Sequence, residues 1–309
     1  MDKNLPELIE QFLEYLEVER GVSRLTIRDY RLYLKRFIDW LEKISPSPSP
    51  ADINLDNVRR YRLYLAHFTD HKGLPLKRVT QNYYVICLRS FLRYLIKNDY
   101  TTLSPDKIDL PKTESRSLKF LDKDQVVRLL NGPTISDDAG LRDKAILETL
   151  FSTGLRVAEL VKLNRDQLNF ETKEIGIIGK GGRARVVFLS NSAIEWLKRY
   201  LEIRKDDFKP LFIRYSGAAD ETNKGEKMRL TSRSVQRLLE KYVLKMKLPV
   251  KATPHVLRHS LATDLLINGA DIRSVQEILG HKNITTTQIY THVTNARLKE
   301  IHEKFHSSI

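Results

Sequence analysis

Apolar residues recur at helical spacing through the first hundred residues, and this periodicity decides what that part of the chain can fold into. Four segments carry such a stripe, at residues 5–20, 26–42, 55–68 and 76–98. Residues 45–50 alternate serine with proline, and each proline lacks an amide donor and restrains the residue before it. We interpret them as an extended loop within one all-α domain, because four helices can share a single core.

The helical periodicity ends in a polar segment that runs from Ser104 to Ser117 and contains prolines but no periodic pattern. A composition of this kind is typical of a linker between domains. The sequence therefore predicts an N-terminal helical domain, a linker and a C-terminal domain, at residues 1–108, 109–117 and 118–309.

The spacing of apolar residues changes in the second half of the chain. Residues 140–152 and 192–205 keep helical spacing, whereas 175–178 and 184–189 flank a glycine-rich turn and predict a β-hairpin. We also predict a short strand at 211–213, a polar loop at 216–229 and a helix capped by Thr231. The predicted fold class is mainly α with a small antiparallel sheet.

The last fifth of the chain contains side chains suited to acting on a phosphate. His255 and Arg258 are three residues apart, so they share one face of a predicted helix. A second helix is predicted over residues 272–279, His281 follows it, and Tyr290 comes nine residues later. Arginine and histidine together suggest a phosphate pocket, and a phenol nearby suggests a nucleophile.

Charge adds a further constraint. The 309 residues include 53 lysines and arginines against 39 aspartates and glutamates, a formal net charge of +14. This balance favours a polyanionic partner, because each phosphate that a cation neutralises releases condensed counterions. Nucleic acid is favoured over a membrane surface, since the charges are spread along the chain. A basic protein without such a partner is the alternative.

Compartment and redox state follow from what the sequence lacks. No stretch approaches the roughly 20 consecutive apolar residues of a membrane span. The N-terminus has no apolar signal-peptide core. The single cysteine, Cys87, excludes an intramolecular disulfide and lies among apolar neighbours that predict a buried thiol. We therefore predict a cytoplasmic protein.

Two other kinds of phosphate or metal site are excluded by the motifs. A nucleotide-binding phosphate loop requires serine or threonine after its lysine, but Gly181 follows Lys180. The spacing of the histidines matches no zinc motif, and one cysteine cannot complete one. We therefore predict no metal and no cofactor. Each candidate residue taken alone has an ordinary structural explanation, so only the joint pattern indicates chemistry.

The joint pattern resembles the tyrosine recombinases, or phage integrase family, and within it the Xer type. The matching motifs are Thr-Gly-Leu-Arg ending at Arg156 with Glu159 three residues on, Gly-Lys-Gly around Lys180, and His-x-x-Arg-His over 255–259. Leu-Gly-His ending at His281 and then Tyr290 complete the set. The resemblance covers nearly the whole chain and implies a two-domain, C-shaped clamp around DNA.

The resemblance also implies the catalytic residues, which are Arg156, Lys180, His255, Arg258, His281 and Tyr290. Tyr290 would attack a backbone phosphate, forming a 3′-phosphotyrosyl bond and freeing a 5′-hydroxyl. Because the ester conserves the energy of the broken bond, rejoining needs no ATP. Arg156 and Arg258 would stabilise the charge on the phosphorane, so a metal ion is not required.

The remaining positions receive supporting roles by the same resemblance. Lys180 would donate a proton to the leaving 5′-oxygen, and His255 would exchange a proton with the Tyr290 hydroxyl. His281 would hydrogen-bond the phosphate, and Glu159 would orient the pocket from behind. The other histidines, His259, His292, His302 and His306, are assigned to structure or solvent.

The partners follow from the family as well. The resemblance implies a double-stranded DNA recombination site and a Holliday junction, with a homotetramer on two duplexes or a heterotetramer with a paralogue. A DNA translocase is a candidate activator. A predicted helix at residues 295–306 either closes its own domain or docks on a neighbouring subunit.

The biological role stays open between resolution of chromosome or plasmid dimers and integration of a mobile element. A relaxing activity like that of type IB topoisomerases is a further alternative, since the nucleophile chemistry is the same. From a different class, the chain could be an architectural DNA-binding protein without catalysis.

Overall fold

The structure, a computed structural model, describes residues 4–70, 72–110, 119–179 and 184–280. The chain separates into two compact units, Met1–Arg116 and Ser117–Ile309. Most of the predicted linker lies outside the described residues, so the predicted domain bounds stay predictions. No helix within these described ranges is long and apolar enough to cross a bilayer.

The first unit is helical, as predicted. The part of it that the structure describes contains four α-helices, α1 (Leu5–Val18), α2 (Arg24–Leu41), α3 (Leu55–His67) and α4 (Arg78–Lys97). The first three begin at side-chain caps, in which Asn4, Ser23 and Asn54 each accept a bond from an amide three residues on. All four contribute to one core of buried apolar side chains. Cys87 on α4 is fully buried in that core, which confirms the predicted buried thiol.

The second unit combines seven α-helices with a small sheet among its described residues. The helices are α5 (Lys123–Leu130), α6 (Asp138–Thr153), α7 (Val157–Leu160), α8 (Asn191–Glu202), α9 (Ser232–Lys245), α10 (Pro254–Ile267) and α11 (Ile272–Leu279). The strands are β1 (Leu168–Asn169), β2 (Glu174–Ile178) and β3 (Ala184–Phe188). This composition confirms the predicted fold class.

The sheet is antiparallel, in the order β1-β2-β3. The predicted hairpin is present, with Ile175 paired to Val187 and Ile177 paired to Arg185. Because side chains alternate along a strand, Arg185 lies on the same face as the buried Val187. The sequence did not predict β1, since a strand of two residues carries no periodic signal.

Helix α6 is the central element of the second unit. Its residues 143–150 are all buried, so it is enclosed on every side rather than along one stripe. It packs against α8 and α10. The helix ends at Gly154, whose φ of 59° is left-handed, and the chain then turns toward Arg156.

The predicted strand at 211–213 is wrong. This segment forms only isolated bridges, between Pro210 and Asn164 and between Ile213 and Arg229. Its side chains are buried, and a three-residue apolar run cannot by itself distinguish a strand from a buried connection. The predicted loop at 216–229 contains 3₁₀ turns over Thr222–Met228, interrupted by left-handed residues.

Candidate active site

Helix α10 carries two of the predicted site residues. Thr253 caps its N-terminus by accepting a bond from Val256, and Pro254 occupies the first turn. Arg258 is only 4% exposed. Its guanidinium donates from Nη1 to the Gly154 carbonyl at 2.6 Å and from Nη2 to the Leu279 carbonyl. Arg258 therefore joins the end of α6 to the end of α11.

Gly154 allows the end of α6 to lie close to α10 and α11. A Cβ placed on it would lie 2.8 Å from Cδ2 of Leu279 and 2.9 Å from Cδ2 of Leu261. The left-handed φ independently favours glycine at this position. The glycine of the Thr-Gly-Leu-Arg motif is thus required by the packing of α6 against α10 and α11.

Arg156 and Glu159 form a small closed unit at the start of α7. The Glu159 carboxylate accepts the Arg156 backbone amide at 3.0 Å through Oε2 and Arg156 Nη1 at 3.0 Å through Oε1. The Glu159 side chain is 8% exposed, whereas that of Arg156 is 35% exposed. Arg156 therefore remains accessible from solvent while its partner is buried.

A third side chain, Arg185 on β3, completes this cluster and was missed by the sequence analysis. Its Nη1 and Nη2 donate to Oε1 and Oε2 of Glu159 at 3.2 and 2.9 Å. Burial alone would raise the pKa of Glu159, but the bonds from Arg185 and Arg156 and their positive charges outweigh it and lower that pKa. The available signal was an arginine at an inward position of a predicted strand.

His255 lies one turn before Arg258 on α10 and retains contact with solvent. Partial desolvation lowers its pKa, and the positive charges of Arg258 and Arg156 lower it further. A pKa below the ordinary value of 6.5 leaves the imidazole mainly neutral at neutral pH. A neutral imidazole can accept a proton.

His259, which the sequence analysis assigned to structure or solvent, interacts electrostatically with two residues of the site, His255 and Arg258. Desolvation lowers its pKa first, followed by the charges of His255 and Arg258. The two histidines on α10 therefore share one electropositive environment with Arg258.

The structure brings Arg156, Glu159, His255 and Arg258 into one region of the second unit. Lys180, His281 and Tyr290 lie outside the described residues, as do His292, His302, His306 and the predicted helix at 295–306. Two guanidinium groups with a neutral imidazole suit binding of a phosphate, because guanidinium is planar, permanently charged and a paired donor.

Two protein families match the chain. Residues 119–297 match the phage integrase family, and residues 9–99 match the N-terminal SAM-like domain of phage integrases. Together the two matches cover both compact units of the chain.

Curated relatives extend the comparison over the whole length. The chain is 36% identical over 308 residues to tyrosine recombinase XerD of Listeria monocytogenes serotype 4b, covering 97% of this chain and 98% of the relative. It is 38% identical over 309 residues to tyrosine recombinase XerC of Pelotomaculum thermopropionicum, covering 96% and 97%.

Solved structures share the fold. The XerA recombinase crystal structure is 27% identical, with a TM-score of 0.51, and the match covers 98% of this chain and 100% of that one. XerH bound to a palindromic difH substrate, a post-cleavage complex, is 24% identical with a TM-score of 0.69, covering 97% and 85%. The XerH likeness is evidence for the fold alone.

The chain belongs to the phage integrase family, the tyrosine recombinases. Within that family it is a recombinase of the XerC/XerD type, an enzyme of site-specific DNA recombination that cleaves and rejoins DNA. The family and the activity predicted from the sequence are both confirmed.

Proposed function

We propose that this recombinase resolves chromosome or plasmid dimers, cutting DNA through a 3′-phosphotyrosyl bond on Tyr290 and passing through a Holliday junction. One observation carries the assignment of the site. The buried Arg258 is bonded to the carbonyl of Gly154, two residues before the accessible Arg156. The two arginines assigned to the phosphate are thus held by one connected piece of the structure.

Arg156 and Arg258 bind the non-bridging oxygens of the scissile phosphate. Both stay charged at any relevant pH, so they stabilise the additional charge of the pentavalent phosphorane. Arg258 bonds to two carbonyl oxygens, which carry no net charge, and so these bonds do not cancel its positive charge. This preorganisation supports its role in electrostatic stabilisation.

His255 takes the proton of the Tyr290 hydroxyl. Its lowered pKa supports this role, because a base must be neutral before it can accept a proton. Lys180 protonates the leaving 5′-oxygen, and His281 hydrogen-bonds the phosphate. Lys180, His281 and Tyr290 lie outside the described residues, so support for their roles comes from the family motifs.

The DNA target is a dif-like site. Two findings support it, the XerC and XerD identity of the curated relatives and the difH substrate in the XerH structures. The net charge of +14 is consistent with a long phosphate interface. We place the enzyme in the cytoplasm, where chromosomal sites are found.

Four subunits assemble on two DNA duplexes. Because XerC and XerD relatives match at 38% and 36% identity, identity does not distinguish a homotetramer from a mixed tetramer with a paralogue. Residues 295–306 would dock on a neighbouring subunit, and a DNA translocase would activate the enzyme. Truncation after Thr294 should then abolish tetramers while a folded monomer persists.

Trapping on a nicked suicide substrate tests the nucleophile. A dif-like duplex is incubated with wild-type protein, with Tyr290→Phe and with the control Tyr83→Phe. Tyr83 lies in the first unit and is 53% exposed. We expect a covalent protein–DNA band on a denaturing gel for wild type and Tyr83→Phe only. A band that persists in Tyr290→Phe would assign the nucleophile to another residue.

A second assay separates the biological roles. A plasmid carrying two directly repeated dif-like sites should be resolved into two circles, whereas an integrase of a mobile element should act only on the ends of that element.

One outcome of the trapping assay would contradict the catalytic assignment for this chain. That outcome is DNA binding without a covalent band on every site tested, with an active recombinase as positive control.

A further inference from the structure

We propose that Arg185 is a positioning residue of this site, which holds the Glu159 carboxylate and through it sets the orientation and effective charge of Arg156. The inference rests on the proposed role of Arg156 at the scissile phosphate. It concerns a residue outside the six catalytic positions.

The geometry of the pair is specific. Arg185 Nη1 and Nη2 reach Oε1 and Oε2 of Glu159 at 3.2 and 2.9 Å, so both oxygens of one carboxylate are held by one guanidinium. Paired, charge-assisted bonds of this kind fix orientation as well as distance. The remaining bonds to the same carboxylate come from the backbone amide and Nη1 of Arg156. The carboxylate plane therefore has a single orientation between two guanidiniums.

The distribution of burial and charge separates the roles of the two arginines. The Arg185 side chain is 17% exposed and that of Arg156 is 35% exposed, while Glu159 between them is 8% exposed. Two positive charges share one negative charge, so the cluster keeps a net positive charge on its accessible side. If Arg185 were absent, the Glu159 carboxylate would offset the Arg156 charge alone and compete with the phosphate for its donors.

Arg185 also contacts the end of α11. A Cβ on Gly280 would lie 2.9 Å from Nε and Cζ of Arg185, and the φ of Gly280 is +64°. The guanidinium therefore lies where the Cβ of any other residue at position 280 would be, so only glycine fits there. Gly280 directly precedes His281 in the sequence. Arg185 therefore contacts both Glu159 on α7 and the residue that ends α11.

Packing within the sheet does not by itself require an arginine at this position. The neighbouring inward position on β3 is filled by the apolar Val187. An arginine at this position is explained by its charge and its paired donors.

Single-turnover cleavage of the suicide substrate at saturating DNA tests the inference. Arg185→Gln and Arg185→Lys are compared with wild type, and Arg185→Gln is repeated in a Glu159→Gln background. The control is Arg165→Gln, which removes a partly buried ion pair with Asp206 (2.8 Å) in the same unit. DNA affinity and melting temperature are measured for every variant.

We expect Arg185→Gln to slow cleavage about 10–100-fold, because the Glu159 carboxylate that holds Arg156 loses its fixed orientation, with DNA affinity changed by less than about threefold. Arg185→Lys keeps the charge but not the paired bonds, so its rate should be intermediate. In the Glu159→Gln background the additional loss should be below about threefold, because the two residues act as one unit. Arg165→Gln should lower stability without this loss of rate.

Three outcomes would overturn the inference. These are an unchanged cleavage rate in Arg185→Gln, rate losses that multiply in the double variant, or a loss that Arg165→Gln reproduces at equal melting temperature. If Arg185→Gln does not fold, Arg185→Lys alone decides, since a wild-type rate would contradict a requirement for paired bonds. Failure of wild type to form the covalent product would instead refute the proposed function.

Discussion

Arg258 and Gly154, which are 104 residues apart in the sequence, are joined by a 2.6 Å bond from Nη1 to the backbone carbonyl. The arginine is buried, and the glycine adopts a left-handed conformation at the end of α6. One backbone carbonyl thus connects the helix that carries His255 with the turn that leads to Arg156. The relative position of these site residues depends on a contact that neither motif contains by itself.

Replacing Gly154 by alanine should destabilise the second unit. The added Cβ would lie 2.8 Å from Leu279 and 2.9 Å from Leu261, and alanine tolerates the left-handed φ poorly. We expect the free energy of unfolding to fall by about 2–4 kcal/mol. Urea denaturation followed by circular dichroism measures the change.

Gly176→Ala is the matched control for that substitution. Gly176 lies in β2, where a Cβ would meet no atom within 4 Å. Its stability should be unchanged or higher by up to about 1 kcal/mol. Equal stability losses for the two alanine variants would contradict the packing argument.

Ser260 on α10 makes a second long-range bond that should be costly to remove. Its hydroxyl accepts from the buried Leu121 amide at 2.8 Å and donates to the Val256 carbonyl at 2.9 Å. Ser260→Ala would leave the Leu121 amide unpaired, so we expect a loss of about 1–3 kcal/mol in unfolding free energy. Thermal and urea unfolding both report it.

Ser234→Ala serves as the comparison, because the Ser234 hydroxyl bonds to Thr231 at the surface. Surface changes of this kind usually cost less than about 0.5 kcal/mol. If the two serine variants lose the same stability, the Leu121 amide has another partner in solution.

The pKa of His255 should depend on Arg156. After desolvation, the charges of Arg258 and Arg156 lower this pKa below 6.5, so Arg156→Gln removes one lowering charge and should raise it. His259 is the comparison within the same protein, because its pKa is lowered by desolvation and then by the charges of His255 and Arg258. NMR titration of the imidazole resonances measures both groups in one sample.

The lowered pKa of His255 also predicts how the cleavage rate depends on pH. If neutral His255 accepts the Tyr290 proton, the rate should fall on acidification only as pH drops through the lowered pKa, below about 6.5. A single-turnover rate profile from pH 5 to pH 8 locates that limb. An acid limb above pH 7 in the wild-type profile would speak against His255 as the base.

Cys87 offers a probe of the first unit. The thiol is fully buried and its Sγ lies 3.7 Å from the Tyr30 carbonyl, and burial raises the pKa of the thiol. Native protein should therefore react with a disulfide reagent at least about a hundredfold more slowly than protein in denaturant. Comparable rates in the two conditions would show that the α4 core opens readily.

Much of the fold could be predicted from local patterns. The helix predicted over 272–279 matches α11, and the four helices of the first unit begin and end within a few residues of their predicted bounds. Helix caps and apolar stripes depend on residues within one or two helical turns, so they can be identified from the sequence alone. The segment at 211–213 failed because burial without periodicity does not specify backbone pairing.

The residues of the candidate site also fall into those that local motifs predict and one that they do not. Arg156, Glu159, His255 and Arg258 could be selected from motifs, because each motif keeps its residues within a few positions of one another. Arg185 could not be selected, because its bond to Glu159 crosses 26 residues and depends on how β3 lies against α7.

The sequence by itself determined the family, the helices and the identity of the candidate catalytic side chains, since these depend on residue type and short spacing. Only the tertiary structure decided that Arg258 bonds to the Gly154 carbonyl and that Glu159 lies between two arginines. The physical reason is that hydrogen-bond partners are set by packing distances between elements. Those distances result from the whole core and are encoded at no single position.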